Sequence, residues 1–266
     1  MTDASVLHVD VADRVATLTM NRPDKRNALN ATLRGQLRVA VRDAEANPAV
    51  DVIVLTGADP AFCAGLDLAE FNSADSGLRD AAPERGKDRG PLGPHTKPVI
   101  GAVNGVAVTG GLELALACDF ILASDRARFA DTHTRVGVLP GWGLTVLLPE
   151  AVGLRRAREM SATGNYVDAQ LALAWGLVNR VVPHGELLST AAAVAAAIVS
   201  NDQPAVRTLL ETYNRVSATT PAEGWLIEAE VHRTWTRANL DATTSSRLEA
   251  VIDRGRSQIA DRPSPD

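Results

Sequence analysis

Basic excess, aromatic side chains, paired cysteines and long apolar runs are all scarce in this sequence, and each scarcity removes a class of function. The 266 residues carry 27 Lys and Arg against 32 Asp and Glu, a formal net charge of −5. A polyphosphate duplex demands the opposite sign, so nucleic acid is not an expected partner. Aromatic residues make up 4%, too few for platforms that stack single-stranded bases, and they leave the core to Ala, Val and Leu. The two cysteines, Cys63 and Cys118, lie far apart and form no CxxC pair. Neither a disulfide framework nor a thiolate zinc site is indicated, no metal is expected, and a reducing compartment fits. The most apolar stretch, residues 191–199, is shorter than the roughly 20 apolar residues needed to span a bilayer. Met1 to Asp10 holds two acids, no Lys or Arg and no apolar block, unlike a signal or transit peptide. The expectation is a soluble, cytoplasmic protein without a membrane partner.

What is present is a 45% apolar composition, enough for one α/β-type domain or for a core domain with a smaller appendage. Val9, Val11, Val15, Ala16 and Leu18 alternate loosely around Asp13-Arg14, which predicts a strand pair joined by a short turn and broken by Asn21-Arg22-Pro23-Asp24. Leu29, Leu33, Leu37 and Val41 recur every four residues, with Arg34, Arg38 and Arg42 on the next stripe, predicting a helix from Asn30 that Pro48 ends. Val50 to Thr56, closed by Gly57, is a continuous apolar run of the kind found in strands buried on both faces. Asn72 to His95 is rich in charge, Gly and Pro and predicts a long loop, either an active-site flap or a surface excursion. Strands are then expected at 98–103 and 120–123, with Gly110-Gly111 preceding a helix between them. From Gly185 onward the pattern is helical, with candidates at 191–199, 205–213 and 222–237. The last carries Trp225 and Trp235, suited either to a subunit interface or to packing on the parent domain.

The motifs that carry phosphate, metal or serine chemistry are missing. GVAVTGG at 105–111 lacks the Lys-Ser/Thr pair of a phosphate-binding loop, and no GxGxxG, HExxH or GxSxG occurs. The histidines at 8, 95, 133, 184 and 232 are too scattered to form a ligand set by spacing. Two glycine turns remain, Cys63-Ala64-Gly65-Leu66-Asp67 and Thr109-Gly110-Gly111-Leu112-Glu113. Each follows a predicted strand, and each either offers backbone N–H groups to a developing negative oxygen or serves only tight turning and helix packing. Glu113 stands in the first turn of the otherwise apolar LELALACD. A charge there is costly unless it is paired, hydrated or working, although an acid near a helix N-terminus is also favourable by about 0.3–1 kcal/mol.

AFCAGLDLAEF at 61–71, IGAVNGVAVTGGLELALACDFILAS at 100–124, FADTHTRVGVLPGWGLTVLLPEAVG at 129–153 and AWGLVNRVVP at 174–183 together resemble the crotonase, or enoyl-CoA hydratase/isomerase, superfamily. NRPDKRNALN at 21–30 matches the N-terminal signature, and the resemblance runs from about residue 5 to the end. It implies an α/β fold, a crotonase-type spiral of ββα repeats over residues 1–190. A helical trimerisation region over 191–266 would follow, assembling as a homotrimer or a dimer of trimers. It also implies acyl-CoA substrates in fatty acid metabolism and β-oxidation, with no cofactor besides the coenzyme A of the substrate. The shared chemical step is stabilisation of a thioester enolate by two backbone N–H groups, which map to Leu66 and Gly110.

By the same resemblance, the acyl-CoA lies along Ala28, Leu29, Ala64, Leu66, Asp67, Leu68 and Ala69, with Gly110 and Trp142 at the acyl group. Arg22, Lys25 or Arg26 would meet its phosphates, unless they form a solvated turn. Glu113 matches the first catalytic glutamate of the hydratases, and His133 stands where the second is found. Asp131, two residues earlier, would face the same side as His133 in an extended segment and orient it, or the pair would merely fill the pocket wall. A neutral imidazole is able to accept or relay a proton near neutral pH. Trp142 replaces a small residue, either narrowing the acyl pocket or packing against the flap, and Cys63 is expected as a small buried side chain. The implied activity is enoyl-CoA hydration. The alternatives are double-bond isomerisation with Glu113 as single base, and acyl-CoA binding without turnover.

Overall fold

In the computed structural model, residues 5–67, Glu70, residues 90–239, residues 251–256 and Ile259 are described. The predicted loop at 72–95 lies outside them up to residue 89, as do Leu68 and Ala69. The chain divides into two compact units, residues 1–207 and 208–266.

The first unit opens with the predicted strand pair, β1 (Leu7–Ala12) and β2 (Val15–Met20), paired antiparallel about Asp13 and Arg14, both with positive φ. Helix α1 (Ala31–Ala46) follows, its first turn capped by the Asn30 side chain, which accepts from the Leu33 N–H. Its buried stripe is Leu33, Leu37, Val41 and Ala44, the predicted period of four with Leu29 left just ahead of the helix. At its other end the Lys97 ammonium donates to the carbonyls of Ala44 and Asn47 at 2.7 Å each. These are C-terminal acceptors without partners inside the helix, which is how a lysine comes to be 2% exposed.

Three strand pairs then alternate between two sheets. β3 (Val52–Gly57), β5 (Val99–Val103) and β7 (Phe120–Ser124) extend a six-stranded sheet of order β1-β2-β3-β5-β7-β10, where β10 is Arg180–Val182. β4 (Ala61–Cys63), β6 (Val106–Val108) and β8 (Arg128–Ala130) form a second sheet, closed by the antiparallel β9 (Val167–Asp168). Helix α2 (Gly110–Leu116) joins β6 to β7, so Gly110 and Gly111 are its first two residues rather than its approach. Strand, strand and helix recur, which is the expected ββα plan.

The continuous apolar run of β3 has a simple cause. Ile53 and Leu55 face the main core together with Val99, Val103, Ile121 and Ala123. Val52 and Val54 face a second core with Ile100, Ala102 and Leu122, covered by α7 (Leu187–Val199) through Leu187, Ala191 and Ala195. Successive side chains of a strand point to opposite faces, and here both faces are dry. The division expected between residues 190 and 191 falls inside α7, whose alanine face belongs to that second core. The structural boundary instead lies between Arg207 and Thr208, after Arg207 has approached the buried Asp51 to 3.7 Å.

The short helices α3 (His133–Val136), α4 (Leu144–Val152), α5 (Leu154–Thr163) and α6 (Ala169–Trp175) complete the first unit. Helix α8 (Gln203–Ser217) crosses the boundary, and α9 (Pro221–Asn239) lies in the second unit. There Gly224 is buried where a side chain would meet Val216, and Arg215 pairs with Glu230 at 3.3 Å. Trp225 and Leu226 are 73% and 70% exposed, while Trp235 is half-buried. Among the described residues no helix is long and apolar enough to cross a membrane.

Asn27 is the least conspicuous structural residue in the sequence and one of the most fully used. It is 0% exposed with φ +56. Its carbonyl accepts from the Arg22 N–H at 2.8 Å, and its amide donates to the carbonyls of Ala58 and Ala61 at 2.8 and 2.7 Å. Asn27→Ala would strand these buried groups and leave alanine in a left-handed conformation, a combined loss of about 3 kcal/mol. Urea unfolding followed by circular dichroism is expected to show that destabilisation.

Candidate active site

The second sheet builds the site. β4, β6 and β8 are parallel and adjacent in that order, so the segments leaving their C-terminal ends stand side by side: 64–67, 109–113 and 131–133. Both glycine turns and the Asp131-His133 pair are therefore delivered to one edge.

The first segment is held from outside by residues 26–29. The Ala64 N–H donates to the Arg26 carbonyl at 3.0 Å, the Leu29 N–H to Gly65 at 2.7 Å, and the Asp67 N–H to Leu29 at 3.1 Å. Leu29 and Leu66 thereby form a parallel bridge. In such a ladder alternate peptides face opposite ways, so the Leu66 N–H points away from residue 29, toward the second segment. Arg22 locks the arrangement, donating to Asp67 at 2.8 Å and to the Ala28 carbonyl. Arg22 is thus engaged within the fold rather than free for phosphates, whereas Lys25 and Arg26 are exposed. Ala28 and Leu29 are buried; the Leu29 backbone groups hold the Leu66 turn, while the Ala28 N–H donates to the Lys25 carbonyl and the Ala28 carbonyl accepts from Arg22.

The second segment begins at Thr109, a non-glycine residue with φ +55 and ψ −114. That conformation costs on the order of 1–3 kcal/mol and persists only where the surroundings enforce it. Here the Thr109 N–H is tied to Ala130 at 2.9 Å and its hydroxyl to the Thr132 hydroxyl at 2.6 Å. The twist sets the direction of the next peptide, that of Gly110. A methyl carbon added to Gly110 would lie 3.7 Å from the Leu66 nitrogen, so the two amides flank one small space. Among the described residues neither the Leu66 nor the Gly110 N–H donates to a backbone acceptor. Gly111 must lack a side chain because α2 begins against the Cys63 carbonyl. Cys63 itself is 0% exposed, and burial pushes its thiol up to about 12, as expected of a small packed side chain.

Glu113, one turn into α2, is 2% exposed. Its Oε1 accepts from the Trp142 N–H at 2.7 Å and the Leu144 N–H at 3.5 Å, at the N-terminus of α4, where the helix dipole favours negative charge. Its Oε2 lies 3.6 Å from His133 Nε2. His133 Nδ1 lies 2.6 Å from Asp131 Oδ1, and the His133 N–H donates to the same oxygen at 3.2 Å. The two residues do meet, though not across an extended strand. Asp131 folds over the first turn of α3, and one carboxylate oxygen takes both the amide and the ring. Asp131 and His133 are 1% and 4% exposed. Ionised Asp131 keeps the proton on Nδ1 and leaves Nε2 to Glu113.

The electrostatics of the two acids diverge. Burial pushes the Glu113 carboxyl above its ordinary value, and the Trp142 N–H, His133 and the Leu144 N–H oppose it without cancelling it. Burial also pushes Asp131 up, but hydrogen bonds from the His133 ring, the Ser161 hydroxyl and the His133 amide outweigh it and leave its carboxyl below the ordinary value. Ser161, on α5, escaped the sequence reading because nothing in its spacing ties it to Asp131. Thr109 and Thr132 escaped for the same reason.

Comparison with known proteins agrees with this architecture. The family model described as enoyl-CoA hydratase/isomerase matches residues 10–246. A protein of Mycobacterium bovis described as a probable enoyl-CoA hydratase is 35% identical over 265 residues, covering 98% of this chain and 100% of its own. A probable peroxisomal enoyl-CoA hydratase of Arabidopsis thaliana is 39% identical over 201 residues, 75% of each chain. The solved structure of an enoyl-CoA hydratase from Mycobacterium tuberculosis H37Rv superposes with a TM-score of 0.73 at 51% identity, covering 88% of this chain and 100% of that one.

The opposed shifts have opposite consequences for stability. A carboxyl raised on folding binds its proton more tightly in the folded chain, so its contribution worsens as pH climbs out of the ordinary carboxylate range. A lowered carboxyl contributes stability above that range and loses it as pH falls through the folded-state value. At pH 7.5 Glu113→Gln is therefore expected to raise the thermal midpoint by roughly 2–4 °C and Asp131→Asn to lower it by a similar amount. Calorimetric scans should show the Glu113→Gln difference shrinking toward pH 4, and the Asp131→Asn difference still present there and fading only as pH falls below the ordinary aspartate value.

Proposed function

The chain belongs to the enoyl-CoA hydratase/isomerase family, and on that footing we propose that it adds water reversibly across the double bond of a 2-enoyl-CoA thioester. Its reaction class is that of a hydro-lyase. One observation carries the reading: a buried carboxylate and an Asp-oriented imidazole face each other at 3.6 Å, beside two neighbouring backbone N–H groups.

The Leu66 and Gly110 N–H groups receive the thioester oxygen, on which negative charge grows as the enolate forms. Donors already in place need no reorganisation, and loss of one such donor costs about 2.7–4 kcal/mol in acyl-transfer enzymes. Glu113, made more basic by burial, takes a proton from water as its oxygen bonds to the β-carbon. That proton passes from Glu113 to His133 Nε2 while Asp131 holds the Nδ1–H tautomer, keeps the ring oriented and stabilises it as it carries both protons, and Nε2 then gives the proton to the α-carbon. The transfer leaves Glu113 ionised and the ring neutral, as both began. The sum is one water added, hydroxyl to the β-carbon and hydrogen to the α-carbon. The only coenzyme required is the substrate's own coenzyme A, with Lys25 and Arg26 as exposed cations for its phosphates. Exposed Trp225 and Leu226 of the second unit form part of the subunit interface in this reading.

Glu113→Gln is expected to lower kcat on crotonyl-CoA by roughly 10²–10⁴-fold, with His133→Ala in the same range. Asp131→Asn should lower kcat more than it raises KM. Loss of the conjugated thioester absorbance reports the rate. In heavy-oxygen water, label in the product identifies hydration, and a shifted double bond without label would replace the reading with isomerisation. Full activity in Glu113→Gln would remove that residue from the chemistry.

A further inference from the structure

Trp142 is fixed at three points, two of them on the walls of the site. Its N–H donates to Glu113 Oε1 at 2.7 Å. Its carbonyl packs against Gly90, where any side chain would collide with it. Its ring approaches Gly110 so closely that a methyl carbon added there would lie 3.3 Å from Cζ3. The indole is half-buried and packs with Leu66 against the main core. Gly141 and Gly143 flank the residue, Gly143 at φ +105, and would be natural hinges of a swinging lid. The two backbone anchors oppose such a swing, because moving the indole by hinge rotation strips Glu113 of its shortest hydrogen bond.

One residue therefore spans the distance between the carboxylate and the amide pair, and it does so with the largest side chain available. We infer that Trp142 is a specificity-determining residue, a fixed wall that confines the site to short acyl groups. The thioester oxygen lies at Leu66 and Gly110 and the α- and β-carbons reach toward Glu113 and His133. With the indole standing against Gly110 beside them, the rest of the chain has only the room that the ring leaves. This rests on the reading of the site as an acyl-CoA site. In an open apolar pocket each further buried methylene strengthens binding roughly fourfold. A fixed wall reverses the trend, since a longer chain must either fold back or displace the ring.

Calorimetry with butyryl-, hexanoyl- and decanoyl-CoA, on the full-length wild type, Trp142→Ala and Trp142→Phe, reads the wall without requiring turnover. The wild type is expected to bind butyryl-CoA at least tenfold more tightly than decanoyl-CoA, Trp142→Phe to narrow that ratio and Trp142→Ala to abolish or invert it. Equal or tighter binding of decanoyl-CoA by the wild type overturns the inference. So does an unchanged ratio in both variants, or an absence of binding at every length. Parallel kcat/KM values for crotonyl-CoA and 2-decenoyl-CoA separate the two conclusions. Length-dependent binding without hydration would sink the hydratase reading and keep the wall, whereas equal hydration of both substrates would sink the wall and keep the reading.

Discussion

Glu113 is a carboxylate set within a helix whose seven residues are all buried, and the surrounding segments are arranged so that its charge can be tolerated there. A buried ion without partners neutralises or unfolds its host. Here the N-terminus of α4 turns two N–H groups onto one oxygen, and His133 faces the other. The arrangement stops short of full compensation, and the carboxyl stays above its ordinary value. That residual cost is useful, because a carboxylate held at an unfavourable charge is a stronger base than one in water. The strain at Thr109 belongs to the same economy: local structure is held away from its preferred state by neighbours that are themselves well bonded.

Those neighbours hold because the scaffold is made of small side chains packed closely. Ala191 and Ala195 bring α7 down onto β3, β5 and β7, and Gly111 lets α2 begin against the end of β4. Larger residues at these points would separate the layers and lengthen the distances on which the site depends. The low aromatic content follows from that geometry. Trp142, one of four tryptophans, is correspondingly informative, since it stands at the functional edge rather than in the packed interior.

Elements with strong periodicity were legible in the sequence. The leucine stripe of α1, the strand pair about Asp13-Arg14 and the doubly buried β3 occur where the pattern places them, because side-chain period follows directly from backbone geometry. The two glycine turns and Glu113 were legible as candidates, and their family resemblance placed them in one site. Arg22, offered with Lys25 and Arg26 either to phosphates or to a solvated turn, is bound to Asp67, 45 residues away; a charge in a polar turn carries no mark of its partner. Asn27 and Ser161 were missed for a related reason: each makes its contacts across the fold, through a side chain whose type is ordinary in loops and helices. Asp131 and His133 would share a face if their segment were extended; instead a carboxylate accepting from an amide two residues on bends the chain into a turn, and the two meet there.

The sequence by itself determined the strand pair about Asp13-Arg14, the leucine-striped helix α1, that both faces of β3 are dry, and that one carboxylate stands in an apolar helix. Each of these is a local property, set by residue type and period. Only the tertiary structure decided that β4, β6 and β8 end side by side, that the Leu66 and Gly110 amides flank one space, and that Glu113 faces an imidazole oriented by Asp131. It also decided that Arg22 closes on Asp67 and that the Trp142 ring lies on Gly110. These depend on strand order and on hydrogen bonds between distant segments, and neither leaves a period in the sequence, because a partner's identity is fixed by where the chain returns in space.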